Sequence, residues 1–112
     1  MRRPKGRLPV IYADDALSEI DEIADWNEKT YNRAHARDYI RFLERHIDTL
    51  AKDFAKGRPV STRPDLRYIR IQKRSKAYGH VAVYIFDDQA VTVVHVFHTS
   101  QDWENRLAEE QR

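Results

Sequence analysis

Cysteine is absent from this sequence and glycine is scarce, at three residues. The first lack removes a disulfide framework, thiolate catalysis and thiolate metal sites. The second leaves no phosphate-cradling loop and no dinucleotide fingerprint. Nowhere do about 18 apolar residues run together, so no membrane-spanning helix is expected. The basic leader Met1-Arg2-Arg3-Pro4-Lys5-Gly6-Arg7 has no apolar h-region behind it, which argues against a secretory signal and for a cytoplasmic location. The serines at 18, 61, 75 and 100 stand in no nucleophile-elbow context.

What is present is sorted charge. The formal net charge is only +2, yet residues 1–7 are purely basic among their charges. Asp14 to Glu28 carries seven acids and no base, and Lys56 to Lys76 is basic again with Asp65 as its one acid. Such segregation gives one surface an affinity for phosphates or for an acidic protein. At 112 residues the chain is expected to form one domain, with a basic leader at 1–7 and a mobile tail at 104–112.

Leu8-Pro9-Val10-Ile11-Tyr12 reads as a short edge strand. Asp14-Asp15 then suits a helix start, where a carboxylate accepts orphan N–H groups and complements the helix dipole. Ala16, Leu17, Ile20, Ile23 and Ala24 recur at helical spacing, with Trp26 at the margin of their stripe as a core-edge aromatic or a partner-binding anchor. A second helix follows from Ala36, Tyr39, Ile40, Leu43, Ile47, Leu50, Ala51 and Phe54, and it is expected to run on to a stop at Gly57 and Pro59. The short polar join makes the two helices an antiparallel hairpin.

From Leu66 the pattern becomes extended: Leu66 to Ile71, His80 to Phe86, and Val91 to His98, each rich in β-branched and aromatic residues. The expected class is α+β: an N-terminal strand, a two-helix hairpin, then a three-stranded antiparallel sheet. Gln101 to Arg112 has helix formers but little apolar stripe, so a short, fraying helix is expected there.

This order resembles the RelE/ParE superfamily of toxins from type II toxin–antitoxin modules. The matching pieces are Ala16-x-x-x-Ile20-x-x-Ile23, Gly57-Arg58-Pro59, Leu66-Arg67, the His80-Val-Ala-Val-Tyr84 strand, and Val96-Phe97-His98 followed by Gln101-Asp102. That closing pattern fits the ParE branch, the plasmid stabilisation proteins. The resemblance implies a toxin held inactive by a cognate, ParD-like antitoxin. ParE-like members poison DNA gyrase, whereas RelE-like members cut messenger RNA on the ribosome, and fold alone does not choose between them.

Under the nuclease reading, Arg67 or Arg70 would stabilise charge on the phosphate, with His98, Tyr84 or His80 moving a proton. Strand alternation places Arg67 with Ile69 and Ile71, and Arg70 with Leu66 and Tyr68, so the two arginines are expected on opposite faces. Under the gyrase reading the contact residues would be Arg67, Arg70, Lys73, Arg74, Lys76, Trp26 and Trp103. His95 is read as a sheet residue alternating with Val93 and Phe97, and three-residue spacing sends His95 and His98 to opposite faces. No metal and no cofactor are expected. A small basic nucleic-acid-binding module, supported by the uneven charge, is the remaining alternative.

Overall fold

The computed structural model describes residues 6–73 and 79–110. In chain order the elements are β1 (Val10–Tyr12), α1 (Asp14–Thr30), α2 (Arg33–Asp48), a 3-10 turn (Thr49–Ala51), β2 (Arg58–Val60), β3 (Arg63–Ile71), β4 (His80–Phe86), β5 (Val91–His98) and α3 (Trp103–Glu109). The class is α+β, and the five strands form one mixed sheet in the order β1-β5-β4-β3-β2. β2 to β5 pair antiparallel, while β1 joins β5 in parallel at the edge. The sheet is thus wider than the three strands expected from sequence. Pro59 conceals β2, because it reads as a helix stop but is equally at home in an edge strand. Among the described residues no helix is long and apolar enough to cross a membrane.

The hairpin of α1 and α2 covers one face of the sheet. Leu43, Ile47 and Leu50 pack there against Ile71, Ala82, Tyr84, Val91 and Val93. α3 covers the other face, where Trp103 and Leu107 close a second cluster with Val60, Leu66, Val81, Val83 and Phe97. Two apolar residues one helical turn apart are too few to register as a stripe, yet they are what attaches α3.

α1 starts at Asp14 as expected, whereas its capping and the end of α2 differ. α1 has Ala13 at its N-cap with no side-chain cap bond, so Asp14 and Asp15 act through the helix dipole alone. α2 stops at Asp48, well before Gly57. The Thr49 hydroxyl donates back to the His46 carbonyl, the local competition by which Thr unsettles a helix interior. The chain tightens into a 3-10 turn that still points Leu50 inward.

Gly57 then serves a close approach rather than a helix end. Its N–H donates to the Tyr84 hydroxyl at 2.9 Å, and that hydroxyl donates to the Phe54 carbonyl at 2.8 Å. A Cβ at position 57 would collide with the Tyr84 ring and hydroxyl. Tyr84 is fully buried, so one phenol ties the loop after α2 to the middle of the sheet. Tyr84→Phe strands the buried Gly57 N–H and the half-buried Phe54 C=O. It should cost about 1–3 kcal/mol, read as a lower urea midpoint at unchanged slope; a midpoint equal to wild type would show the clasp to be unimportant.

Candidate functional site

The candidate region is built around an interruption in the sheet. β1 pairs with β5 only at Val91, Thr92 and Val93, so β5 runs on as a free edge. Just there β5 carries a bulge: Val83 pairs with His95 and Tyr84 with Val93, leaving Val94 as the extra residue. The bulge inverts the alternation. Val91 and Val93 face the helical hairpin, as does Val96, but Phe97 faces α3. His95 therefore does not share a face with both Val93 and Phe97, as unbroken alternation requires.

The free edge is closed from α1. Glu19 accepts the Val96 N–H at 2.9 Å and meets His95 Nδ1 at 3.1 Å, while Glu110 beyond α3 meets His95 Nε2 at 3.1 Å. His95 is buried. Its pKa is raised, first by the hydrogen bond it gives to Glu19 and then by the charge of Glu19 and by the hydrogen bond to Glu110 and its charge, against the opposing effect of burial. Of the seven acids in the Asp14–Glu28 block, this one turns inward. The charge pattern alone assigns that whole block to solvent. The signal that could have found it is that Glu19 lies one turn before Ile23, on the margin of the apolar stripe.

Beside this edge lies a cleft of about 890 Å³ between the hairpin, the ends of β4 and β5, and α3. Trp26, Tyr31, His35 and Tyr39 form its helical wall, and His80 and His98 stand on its floor. Tyr31 packs edge-on to Trp26 at 6.1 Å between ring centres and leans on His35 at 4.1 Å. Trp26 is 59% and Tyr31 57% exposed, so two large aromatics stand in water at the rim. For Trp26 the structure decides against a core-edge position.

On the floor, His80 and His98 are cross-strand partners with ring centres 5.2 Å apart. The Tyr39 hydroxyl lies 2.6 Å from His80 Nδ1. Burial, and then the proximity of His98, pushes the His80 pKa down to about 4, and burial pushes the Tyr39 phenol up to about 12. Both groups are therefore uncharged near neutral pH, which leaves them poor proton donors for catalysis there. His98 Nδ1 accepts from the Ser100 N–H at 3.1 Å, and the His98 N–H donates to the Gln101 side chain at 2.7 Å. These bonds shape the turn out of β5. Two cations border the cleft: Lys73 lies over the rings of Tyr39 and Phe42, and Arg106 lies over Phe97.

The residues singled out from sequence scatter. His98, Lys73 and Trp26 line the cleft. Tyr84 is buried with its hydroxyl engaged. Arg67 lies on the helical face beside Tyr84, donates to the Gly57 and Ala55 carbonyls at 2.7 and 3.3 Å and sits over Phe86. Arg70 is exposed and borders a separate cavity. Trp103, expected as a contact residue, is buried at 6% exposure because it anchors α3 against Tyr68 and Phe97. Arg74 and Lys76 lie outside the described residues. Among the described residues no group of three His, Asp or Glu side chains is placed to hold a metal.

The profile of a family described as ParE toxin of type II toxin-antitoxin system, parDE, matches residues 10–103. The chain belongs to the ParE toxin family. A chain from the structure described as the chromosomal ParDE TA system from P. aeruginosa superposes with a TM-score of 0.70, over 82% of this chain and 96% of that one, at 11% sequence identity. At that identity the superposition speaks for the fold. Comparison with curated protein sequences gives no match. A ParE-family chain thus carries here an aromatic-rimmed cleft next to an edge strand sealed by a carboxylate.

The depressed pKa of His80 makes stability pH-dependent. Its neutral form is favoured by folding, so the stabilisation is present above pH 6.5 and is lost as pH falls from 6.5 toward about 4. The full loss is about 3 kcal/mol. His80→Asn should therefore lose less stability than wild type across that window in denaturant titrations at successive pH values. Parallel curves for the two proteins would refute it.

Proposed function

We propose that this ParE-family protein is a toxin that acts by binding DNA gyrase and is neutralised by a ParD-like antitoxin seated in the aromatic-rimmed cleft. The observation that carries the reading is the scatter of the nuclease candidates. Ribosome-dependent cleavage in the RelE manner asks for cations and a proton donor converging on one phosphate. Here Tyr84 is inside the core, Arg67 is held on backbone carbonyls, Arg70 borders another cavity, and His98 stands in the cleft beside a neutral His80. Binding asks instead for desolvatable aromatic anchors, and Trp26 and Tyr31 offer them.

The occupant that fits the cleft is an amphipathic segment with acidic positions. Its apolar side would cover Trp26, Tyr31 and Ile23, and its carboxylates would meet Lys73 and Arg106. Under this reading the site of action is the cytoplasm, and the protein needs no cofactor.

Induction without antitoxin should stop DNA synthesis first and accumulate gyrase–DNA cleavage complexes, with translation failing later. Immediate translation arrest with cuts in the ribosomal A site would sink the proposal in favour of the RelE-like nuclease. His98→Ala should leave toxicity intact. Trp26→Ala combined with Tyr31→Ala should weaken antitoxin binding by about 2 kcal/mol or more, the loss expected of buried aromatic anchors, measured by calorimetry with the cognate antitoxin. Unchanged affinity would place the antitoxin elsewhere.

A further inference from the structure

The opposite margin of the sheet carries a second, smaller cavity of about 450 Å³ with a different chemistry. β2 reaches only as far as the pairing of Arg58 with Tyr68. β3 continues past it through Ile69 and Arg70 to Ile71, and the opening is roofed by the end of α2 and the loop after it. His46, Lys56, Arg58 and Arg70 line this space together with Tyr68, and no carboxylate does. All four of those basic residues are exposed.

Register explains why two guanidiniums flank one ring. Arg58 is the cross-strand partner of Tyr68, and Arg70 follows Tyr68 by two residues on the same strand, so all three side chains share the α3 face, and they meet His46 at the margin of the sheet, past the end of β2. Among the described residues neither guanidinium takes part in an ion pair or a hydrogen bond, whereas Arg63 is engaged with Asp65 and Arg67 with the backbone. The Lys56 ammonium gives one proton to Thr49 Oγ1 at 2.7 Å and retains two. His46 Nδ1 donates to the Phe42 carbonyl at 2.9 Å, which fixes its ring at the cavity wall. Cations gathered around one cavity without a carboxylate repel one another, and an anion that bridges them removes the repulsion.

We propose that this cavity binds the sugar–phosphate backbone of a nucleic acid, with Arg58, Arg70 and Lys56 on phosphates and Tyr68 beside the sugar or base. Planar guanidiniums match phosphate oxygens two at a time. Tyr68 rests on Trp103 yet still lines the cavity, and its accessible part suits a nucleotide, whose phosphates and base or sugar are both met, better than an acidic peptide, which would meet the cations alone. The site is distinct from the aromatic-rimmed cleft and does not rest on gyrase as the target. A toxin so equipped touches nucleic acid directly as well as a protein.

The test titrates the purified full chain into fluorescent oligonucleotides of about 20 nucleotides, as DNA duplex, DNA single strand and RNA single strand, from about 50 to 200 mM salt. Wild type should bind with a steep salt dependence. Arg58→Ala with Arg70→Ala should weaken binding about tenfold or more and lower the salt slope for duplex by about 2, one unit for each phosphate that is no longer neutralised. Arg33→Ala with Arg37→Ala removes the same charge from the start of α2 and should change neither. The better of the three oligonucleotides identifies the natural form of the backbone. Equal losses from the two double variants would overturn the proposal, because only net charge would then be acting. So would no binding by wild type at the lowest salt, or tighter binding of a polyglutamate peptide that Arg58→Ala with Arg70→Ala abolishes. No gyrase is present, so this result and the target of the toxin are decided separately.

Discussion

The bond from the Val96 N–H to Glu19 holds the candidate site and the edge of the sheet in place. β1 is three residues long and β5 is eight, so most of the outer edge of β5 lacks a strand partner. An unpaired N–H in a half-buried position costs free energy on the order of a lost hydrogen bond, and an open edge invites a foreign strand. Glu19 answers both demands with one carboxylate. The same carboxylate reaches His95, and through His95 the closure extends to Glu110 and thus to α3 on the far face of the sheet. The two covers of the sheet, otherwise separated by it, are tied around its edge by one imidazole. Because β1 ends early, there is also room for the cleft: a longer first strand would fill the space over which Trp26 and Tyr31 stand.

Much of the fold was legible in the sequence because burial follows periodicity. Leu43 and Ile47 recur at helical spacing and are fully buried, and the β-branched runs after Leu66 are strands. Where expectation failed, a local polar bond outweighed the pattern. Thr49 ends α2 through its own hydroxyl although Leu50 and Phe54 continue the stripe. α3 was under-read because its attachment depends on Trp103 and Leu107, a pair too short to show a period.

The candidate site was legible only in its ingredients. Histidines, aromatics and a basic segment were evident, but their partners were not, since Glu19 and His95 are 76 residues apart and Tyr39 and His80 are 41 apart. Nothing in a linear pattern announces such pairs. Alternation correctly sent Arg67 and Arg70 to different faces, a simple geometric rule of strands. It failed for His95 because a bulge is one residue long and leaves no mark in composition.

The bulge at Val94 has a genetic consequence. Val94 and His95 sit together on the α3 side opposite Val83, and from Val96 onward the pairing with β4 is regular again. Deleting the Val94 codon would therefore remove the kink and keep Val96, Phe97 and His98 on their present faces. One surplus codon in the middle of β5 thus aims the edge residues without disturbing the register of those that follow.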